Sequence, residues 1–168
     1  YVEATALSIN NTVKSVTLGG NATITDSFAP TNDGTLHLAG ASTTKTFNGG
    51  IDTTGVTTTV IAGTIATSND AITIGAFGLS NTSITTLNTN ATNGTGDITI
   101  GAVTQVNAPL TLSTGNNISG ADVTANGAIS VSNLVLANIG GTATFSNNVT
   151  TANTFSAGNT VANISFIG

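Results

Sequence analysis

Apolar and polar residues alternate in short runs along almost the entire chain. In GTGDITIGAVTQVNAPLTLSTGN, residues 94 to 116, two such runs are separated by a short break and bounded by glycine or asparagine. A period of two is typical of strands with one buried face, and apolar spacing of the helical kind never persists for about 11 residues. The pattern predicts an all-β chain of many short strands.

Clusters of glycine, asparagine and aspartate, such as NDG, NGTGD and IGG, separate the runs, and these residues favour the left-handed backbone of turns. The predicted strands are Ala6–Ile9, Val13–Leu18, Ala22–Ile24, Thr35–Leu38, Val56–Ile65, Ala71–Ile74, Ser83–Leu87, Asp97–Ile100, Pro109–Leu112, Ala128–Val131, Leu134–Leu136, Thr142–Phe145 and Asn163–Phe166.

Four segments resemble one another: NDGTLHLAGA, NDAITIGAF, TGDITIGAV and NGAISVSNL. Their first apolar residues, Leu36, Ile72, Ile98 and Ile129, are 36, 26 and 31 residues apart. Intervals between about 20 and 50 residues are typical of solenoids. We therefore expect one domain over residues 1–168, with repeated units over 19–168 and an extension or donor strand over 1–18.

The length suits a stack of about six to eight coils of about 20 to 25 residues each. In such a stack equivalent side chains lie about 4.8 Å apart, so columns of like charge repel, whereas columns of threonine, asparagine or isoleucine support one another. The predicted fold is a parallel β-solenoid with irregular coils. An immunoglobulin-like or jelly-roll β-sandwich pilin is the alternative.

Charge is scarce. Charged residues form 5% of the chain, compared with roughly 25% in an average soluble domain. Lys14 and Lys45 are the two basic residues, and the net charge is −5. A nucleic-acid or anionic-lipid surface needs a basic patch, so we expect neither partner. No apolar run approaches about 18 residues, so we expect no transmembrane segment in this chain.

From Ile51 to Gly168 the chain resembles the passenger regions of bacterial autotransporters, particularly rickettsial outer-membrane surface antigens, and filamentous-haemagglutinin repeats. The resemblance is carried by NGTGDITIGAVTQVNAPLTLSTGNNISGADVTANGAISVSN and FSNNVTTANTFSAGNTVANISF. It implies a right-handed parallel β-helix displayed on an outer membrane as an adhesin or surface layer. No translocator barrel of amphipathic strands follows, so the resemblance predicts a fragment or a released piece.

The chain begins at Tyr1 rather than Met, which suggests a processed export product or an excised fragment. Together with the resemblance, this predicts an extracellular or cell-surface location. The chain contains no cysteine, so neither disulfides nor thiolate metal sites are available, and stability must come from backbone ladders and aliphatic packing.

The sequence does not predict an enzyme. The single histidine, His37, lies on the strand face opposite Leu36 and Leu38 and is expected to face solvent. Catalytic and zinc sites need several converging groups, so we assign no catalytic, cofactor-binding or metal-binding residue. We expect turn roles for the aspartates, and a calcium site formed by adjacent coils is the one cofactor left open. The aspartates are Asp26, Asp33, Asp52, Asp70, Asp97 and Asp122.

Threonine runs at 57–60, 64–68 and 84–92 raise an ice-binding alternative. Such a surface needs regular rows, and exposed β-propensity is the simpler explanation. Glycosylation sequons occur at Asn10, Asn21, Asn81, Asn90, Asn93, Asn117, Asn148 and Asn163, mostly as expected by chance in this composition.

Two structural functions remain open. The first is an adhesin or surface-layer passenger that acts through distance, coverage and weak contact with host or neighbouring cells. The second is an extracellular filament or pilus subunit that self-associates through uncovered strand edges, or through donor-strand exchange by YVEATALSINNTVKSVTL. Pro30 and Pro109 are the only prolines that could block such edges.

Overall fold

The computed structural model describes residues 1–80 and 83–168, and it confirms the all-β prediction. Within these residues every regular element is a strand and all strand pairs are parallel, stacked as a β-solenoid of about 8 coils. The sandwich alternative is wrong, because β-sandwiches are built from antiparallel sheets. The sequon residue Asn81 lies outside the described residues.

Within residues 1–80 and 83–168, nineteen strands alternate with corners and turns. In chain order they are β1 (Val2–Ala4), β2 (Ser15–Thr17), β3 (Ala22–Ile24), β4 (Thr35–Leu38), β5 (Thr44–Phe47), β6 (Ile51–Asp52), β7 (Thr58–Ile61), β8 (Gly63–Thr67), β9 (Ile72–Ile74), β10 (Phe77–Leu79), β11 (Thr85–Asn88), β12 (Ile98–Ile100), β13 (Val103–Gln105), β14 (Leu110–Ser113), β15 (Val123–Ala125), β16 (Ile129–Ala137), β17 (Thr142–Phe145), β18 (Val149–Ala157) and β19 (Asn163–Phe166).

The strands stack in three columns, which form three faces of the solenoid. Face A contains β1, β3, β5, β8, β11, β14 and the second halves of β16 and β18. Face B contains β2, β4, β7, β10, β13 and the first halves of β16 and β18. Face C contains β6, β9, β12, β15, β17 and β19. The chain visits the faces in the order B, A, C.

Coils of unequal length keep a fixed register. On face A the shortest spacing between stacked partners is 20 residues, from Val2 to Ala22, and the longest is 25, from Thr85 to Leu110. The extra residues lie in the corners, where they leave the strand ladders unchanged. The irregular intervals between the similar sequence segments are therefore compatible with a solenoid, because coils of unequal length can stack in one register.

Alternate residues of each strand point into the narrow interior. In β12, for example, Ile98 and Ile100 are fully buried and Thr99 points outward. Isoleucines stack on one another along face C, and near the start of the solenoid the rings of Phe28 and Phe47 stack with centroids 5.0 Å apart. These contacts form one continuous apolar core through the length of the stack.

One predicted strand, Val56–Ile65, is divided by a corner into β7 and β8. Gly63 has a φ of +77°, and a Cβ atom there would lie 2.4 Å from the carbonyl oxygen of Gly40. Only glycine meets both conditions without strain. The apolar run VIAGTIAT continues through the corner, so hydrophobicity alone does not reveal the bend.

Other predicted boundaries also change. Ala128–Val131 and Leu134–Leu136 form the single strand β16, which passes from face B to face A. Ala6–Ile9 is not a strand, although Ile9 is buried. The pattern missed several strands whose alternation is short or interrupted, namely β1, β5, β6, β10, β13, β15 and β18.

The four similar segments do not mark equivalent positions. Ile72 and Ile98 are stacked partners on face C, 26 residues apart as predicted. Leu36 and Ile129 lie instead on face B. The four segments resemble one another because strands on both faces follow corners rich in Gly, Asn and Asp. Their similarity therefore does not show that they occupy the same face.

Residues 1–18 lie in the first coil of the stack. Strand β1 pairs with β3, and β2 pairs with β4, both in parallel. The segment that a donor-strand exchange would use is thus paired within its own chain. In the described part of the chain there is no helix with the length and apolar character needed to cross a membrane.

Candidate interaction surfaces

Two ladders of threonine run along the outside of the solenoid. On face A, Thr44, Thr64, Thr86 and Thr111 are successive stacked partners. On face C, the ladder comprises Thr73, Thr99, Thr124 and Thr144. Threonine suits this position because its β-branch packs on a pleated surface, and its hydroxyl remains available to water.

In most coils each ladder contains one outward threonine, not two side by side. Among the described strands, only β5, β17 and β18 place two threonines outward: Thr44 with Thr46, Thr142 with Thr144, and Thr150 with Thr154, which are four residues apart. Elsewhere the neighbouring outward position holds other residues, for example Ala66 beside Thr64. This arrangement differs from the paired rows that an ice-binding surface requires.

Several threonines of the predicted exposed runs are instead buried. Thr67, Thr89 and Thr114 follow one another at the corner between faces A and C, where the hydroxyls of Thr67 and Thr89 lie closest to the carbonyl oxygens of Asp70 and Gly96 in their own coil, at 2.5 and 2.7 Å. Each of the three hydroxyls also lies within hydrogen-bond distance of the carbonyl oxygen of the equivalent residue one coil further on. The acceptors are Thr89, Thr114 and Asn138, at 3.2, 3.3 and 2.7 Å. The hydroxyls are therefore satisfied inside the stack, which explains how polar residues occupy the core.

Asp52 bonds within its own turn, and Asp33 bonds to a side chain of the adjacent coil. Asp52 accepts hydrogen bonds from the amide and hydroxyl of Thr54, at 2.9 and 2.6 Å, as a turn-forming residue does. Asp33 forms an ion pair with Lys14, with 2.6 Å between Oδ2 and Nζ. The Lys14 ammonium beside Asp33 lowers the pKa of that carboxyl below its ordinary value.

Asp97 and Asp122 bond between coils rather than within their own turns. Asp97 Oδ1 accepts from the amide of Asp122 at 2.9 Å, and Asp122 Oδ1 accepts from the amide of Thr142 at 2.7 Å. The local-turn interpretation is therefore wrong for these two residues. In the described part of the chain, no three or more of His, Cys, Asp and Glu converge as ligands for a metal ion.

His37 faces away from the core, as the alternation in β4 predicts. Leu36 and Leu38 on either side are fully buried, whereas His37 is half-buried on the outer surface of face B. Its stacked neighbours are Thr17 and Val60. Of these neighbours only Thr17 carries a polar side chain, a hydroxyl, and none is an acid that could orient the imidazole.

Lys45 occupies an inward position of β5, between Ala22 and Ile65 on the neighbouring coils. Its side chain is fully buried, and Nζ donates to the carbonyl oxygen of Ala39 and to Oγ1 of Thr43. Burial lowers the pKa of this ammonium, because the apolar interior disfavours the charged form. The composition singled out Lys45 only as a basic residue and did not predict its burial.

The described surface contains shallow grooves. One, of about 260 Å³, lies at the corner between faces A and C and is lined by Gly49, Gly50, Asp52 and Asp70 among others. Asp52 is already bonded to Thr54, and the glycines place backbone rather than side-chain groups in the wall. The groove offers two carboxylates without an accompanying base or cation.

Exposed apolar residues concentrate at the two ends of the solenoid. Nine large hydrophobic residues are exposed in the described part of the chain, and seven of them belong to the first and last coils. They are Tyr1, Val2, Val13, Phe155, Ile164, Phe166 and Ile167.

Three phenylalanines form a cluster at the last coil. Phe145 is buried, and its ring stacks on that of Phe166 with centroids 5.2 Å apart. Phe155 packs against both rings, with centroids 6.2 Å from Phe145 and 5.9 Å from Phe166. Phe166 remains 59% exposed and Phe155 39% exposed, so the cluster is covered on one side only. The sequence offered no signal for this cluster beyond the spacing of these phenylalanines, because it forms by stacking of coils.

In comparisons with known proteins, no family model, curated protein or solved structure matches the chain.

Proposed function

We propose that the chain is a structural part of a bacterial cell-surface protein, either an adhesin or a surface-layer passenger. Its stacked coils would serve as a rod that sets distance and covers the surface. This proposal unites the solenoid with the resemblance of residues 51–168 to autotransporter passengers. The location outside the cell and the contact with host or neighbouring cells are part of the same proposal.

The observation that supports it best is the uninterrupted stacking of coils between nearly uncharged faces. Each coil adds about 4.8 Å along the axis, so about eight coils span roughly 40 Å. The outward ladders of Thr73, Thr99, Thr124 and Thr144 avoid the repulsion that stacked like charges would cause. A repeating neutral rod can be extended by adding coils, which suits a role in spacing and coverage.

Antibody labelling tests the location. Antibodies raised against the chain should label intact cells of the source organism as strongly as permeabilised cells. Labelling that requires permeabilisation would contradict the cell-surface role.

An adhesion assay separates the two forms of the proposal. Beads coated with the chain should bind host or neighbouring cells above albumin-coated beads if the protein is an adhesin. Surface labelling without bead binding would favour the surface-layer form.

A further inference from the structure

Three asparagines of the sequence precede a glycine, and the structure places one of them in a different environment from the other two. The pairs are Asn48–Gly49, Asn93–Gly94 and Asn126–Gly127. In an Asn-Gly sequence the amide nitrogen of the glycine can attack the side-chain amide carbon of the asparagine, because glycine has no Cβ atom to hinder the approach. The local sequence is equally suited to this reaction in all three pairs.

Two of the asparagines are bonded into the stack of coils through their backbone. The amide of Asn48 donates to the carbonyl oxygen of Ile24 at 2.8 Å. The amide of Asn126 donates to the carbonyl oxygen of Ile100 at 2.9 Å. Both bonds continue the ladder of a strand into the residue that follows it.

The glycines of these two pairs also lie against the backbone of the preceding coil. A Cβ atom on Gly49 would lie 2.6 Å from the nitrogen of Ser27. A Cβ atom on Gly127 would lie 2.3 Å from the nitrogen of Ala102. Attack by the glycine nitrogen requires rotation of the peptide between the two residues, and these contacts oppose that rotation.

The pair Asn93–Gly94 lies in an exposed corner. Residues 92–95 are all exposed and belong to the connection between β11 and β12. The nearest contact of a Cβ atom on Gly94 would be the carbonyl oxygen of Ser119, at 3.3 Å. The peptide between Asn93 and Gly94 therefore has more room to rotate than the corresponding peptides of the other two pairs.

The side-chain carbonyl of Asn93 receives two hydrogen bonds from Thr95. Asn93 Oδ1 accepts from the amide of Thr95 at 3.0 Å and from its Oγ1 at 2.6 Å. Attack on the amide carbon places negative charge on Oδ1, and donors at such an oxygen stabilise the tetrahedral intermediate. Asn48 Oδ1 receives one bond, from Ser68 at 2.9 Å, and for Asn126 Oδ1 there is none among the described residues.

Asn69, in the preceding coil, holds Thr95 in place. Asn69 Oδ1 accepts from the amides of Thr92 and Asn93, at 2.6 and 2.9 Å. Asn69 Nδ2 donates to Thr95 Oγ1 at 3.2 Å. The Thr95 hydroxyl has two acceptors within reach, and Asn93 Oδ1, at 2.6 Å, is closer than the carbonyl oxygen of Asn69, at 3.2 Å. These bonds fix the donor beside the reacting carbonyl, and none of them involves Gly94.

We propose that Asn93 is a site of spontaneous deamidation in the folded protein. The Gly94 nitrogen loses its proton to solvent base and forms a bond to Cγ of Asn93, while Nδ2 takes up a proton and leaves as ammonia. The product is a five-membered succinimide, which water then opens. Cleavage at Cγ gives aspartate, and cleavage at the backbone carbonyl carbon gives isoaspartate. Water is the only co-reactant.

Either product adds one negative charge to a chain whose net charge is −5. The aspartate form retains the acceptor for Thr95, and hydrogen bonds to a charged carboxylate are stronger than those to a neutral amide. Isoaspartate lengthens the main chain by one carbon in a corner outside the strand ladders, so we expect the stack to remain folded. The site does not depend on where the protein is displayed. Failure of the antibody test leaves it intact, and an unreactive Asn93 leaves the cell-surface role intact.

Peptide mapping by mass spectrometry tests the proposal on the purified, folded chain at mildly alkaline pH, where base accelerates ring closure. Asn93 should convert first, with the mass gain of replacing NH2 by OH and with uptake of oxygen from isotopically labelled water. Asn48 and Asn126 should remain amides. The same chain unfolded in denaturant is the matched control. There all three pairs should react at comparable rates, because only the fold distinguishes them.

Two variants test the role of Thr95. Thr95→Val removes the hydroxyl donor and keeps the shape of the side chain, so conversion of Asn93 in the folded chain should become about tenfold slower. This effect is smaller than the roughly 10²–10³-fold effect of a buried donor in an enzyme, because water can partly replace an exposed one. Thr95→Ser retains the hydroxyl and should keep the rate of the unmodified chain.

Three outcomes would contradict the proposal. Asn93 could remain an amide in the folded chain for as long as Asn48 and Asn126 do. All three pairs could react at equal rates in the folded chain, as they should when unfolded. The rate could also stay unchanged in Thr95→Val, with circular dichroism showing native structure, which would remove Thr95 from the account of the reaction.

Discussion

Two parts of the core differ although they share one architecture. Residues 21–62 contain a buried lysine, Lys45, whereas residues 85–145 have leucine at the equivalent inward positions. The column on face A that passes through both consists of Val2, Ala22, Lys45, Ile65, Leu87, Leu112, Leu136 and Ala157.

The polar groups of the two parts also differ in their hydrogen bonds. In the first part, the amide of Asn32 and the hydroxyls of Thr53 and Thr59 are buried, and no hydrogen-bond partner for them exists among the described residues. In the second, the buried hydroxyl of Thr89 donates to the carbonyl oxygen of Gly96, and that of Thr114 donates to the carbonyl oxygen of Asn138 in the next coil. Parallel backbone ladders are present in both parts, and because its buried hydroxyls have hydrogen-bond partners, we expect the second part to be the more stable one.

The largest effect is expected from Leu112→Ala. Leu112 is fully buried between Leu87 and Leu136, and its truncation leaves a cavity that the rigid ladders cannot close. The free energy of unfolding should fall by about 3 kcal/mol, measured by chemical denaturation. Thr111→Ala, on the outward side of the same strand, is the control and should change it little. A loss as small as that of the control would show that this part of the core is not well packed.

Lys45→Met should stabilise the protein, whereas Leu112→Ala destabilises it. A buried ammonium without a carboxylate partner costs desolvation energy, and methionine fills the same space without that cost. We expect the free energy of unfolding to rise by about 1 to 2 kcal/mol near neutral pH. Lys14→Met is the control for loss of a positive charge. Destabilisation by Lys45→Met would show that the hydrogen bonds of Nζ contribute more to stability than the desolvation of the ammonium costs.

The pH dependence follows from the lowered pKa of Lys45. Between the folded pKa and the higher unfolded one, the unfolded chain binds more protons, so stability rises as pH increases through that window. Below the folded pKa the full penalty of the charged amine remains. The difference in stability between Lys45→Met and the unmodified chain should therefore shrink as pH rises towards the unfolded pKa. A constant difference would mean that Lys45 does not titrate with folding.

A smaller effect is expected from Thr89→Val. The substitution keeps the shape but removes the donor that bonds the carbonyl oxygens of Gly96, at 2.7 Å, and Thr114. The cost should be about 1 kcal/mol by thermal or chemical unfolding. Thr86→Val, on the outer ladder, controls for the exchange of hydroxyl for methyl. Equal effects at the two positions would contradict a structural role for the buried threonines.

The smallest effect is expected from Lys14→Ala. The ion pair with Asp33 is exposed, with 70% and 67% of the two side chains accessible, so water and salt screen it. The melting temperature should not change measurably at neutral pH. The pKa of Asp33 should move back towards its ordinary value, which NMR titration would detect. A clear loss of stability would show that the ion pair between Lys14 and Asp33 contributes more to stability than its exposure suggests.

The sequence predicted the fold class and the range of coil lengths because these depend on local features. Short alternating runs, Gly/Asn/Asp corners and lack of charge are all visible without knowledge of which residues meet. Several strands were predicted within one residue of their ends, among them β3, β4 and β17.

The stacking partners depend on register, which the sequence does not display. The corner at Gly63 interrupts no apolar run, and the burial of Lys45 follows only once Ala22 and Ile65 are known to flank it. The interaction surfaces were missed for the same reason. The phenylalanine cluster joins residues from β17, β18 and β19, which lie apart in the chain.

Engineered disulfides test the register most directly, because the chain has no cysteine of its own. Thr99 and Thr124 are stacked partners on face C, and neighbouring strands lie about 4.8 Å apart, within the range that a disulfide spans. Thr99→Cys with Thr124→Cys should close fully under mild oxidation without loss of folded structure. Thr99→Cys with Thr144→Cys, two coils apart, should stay reduced as the monomer. Closure of the second pair, or failure of the first, would contradict the stack of coils in fixed register.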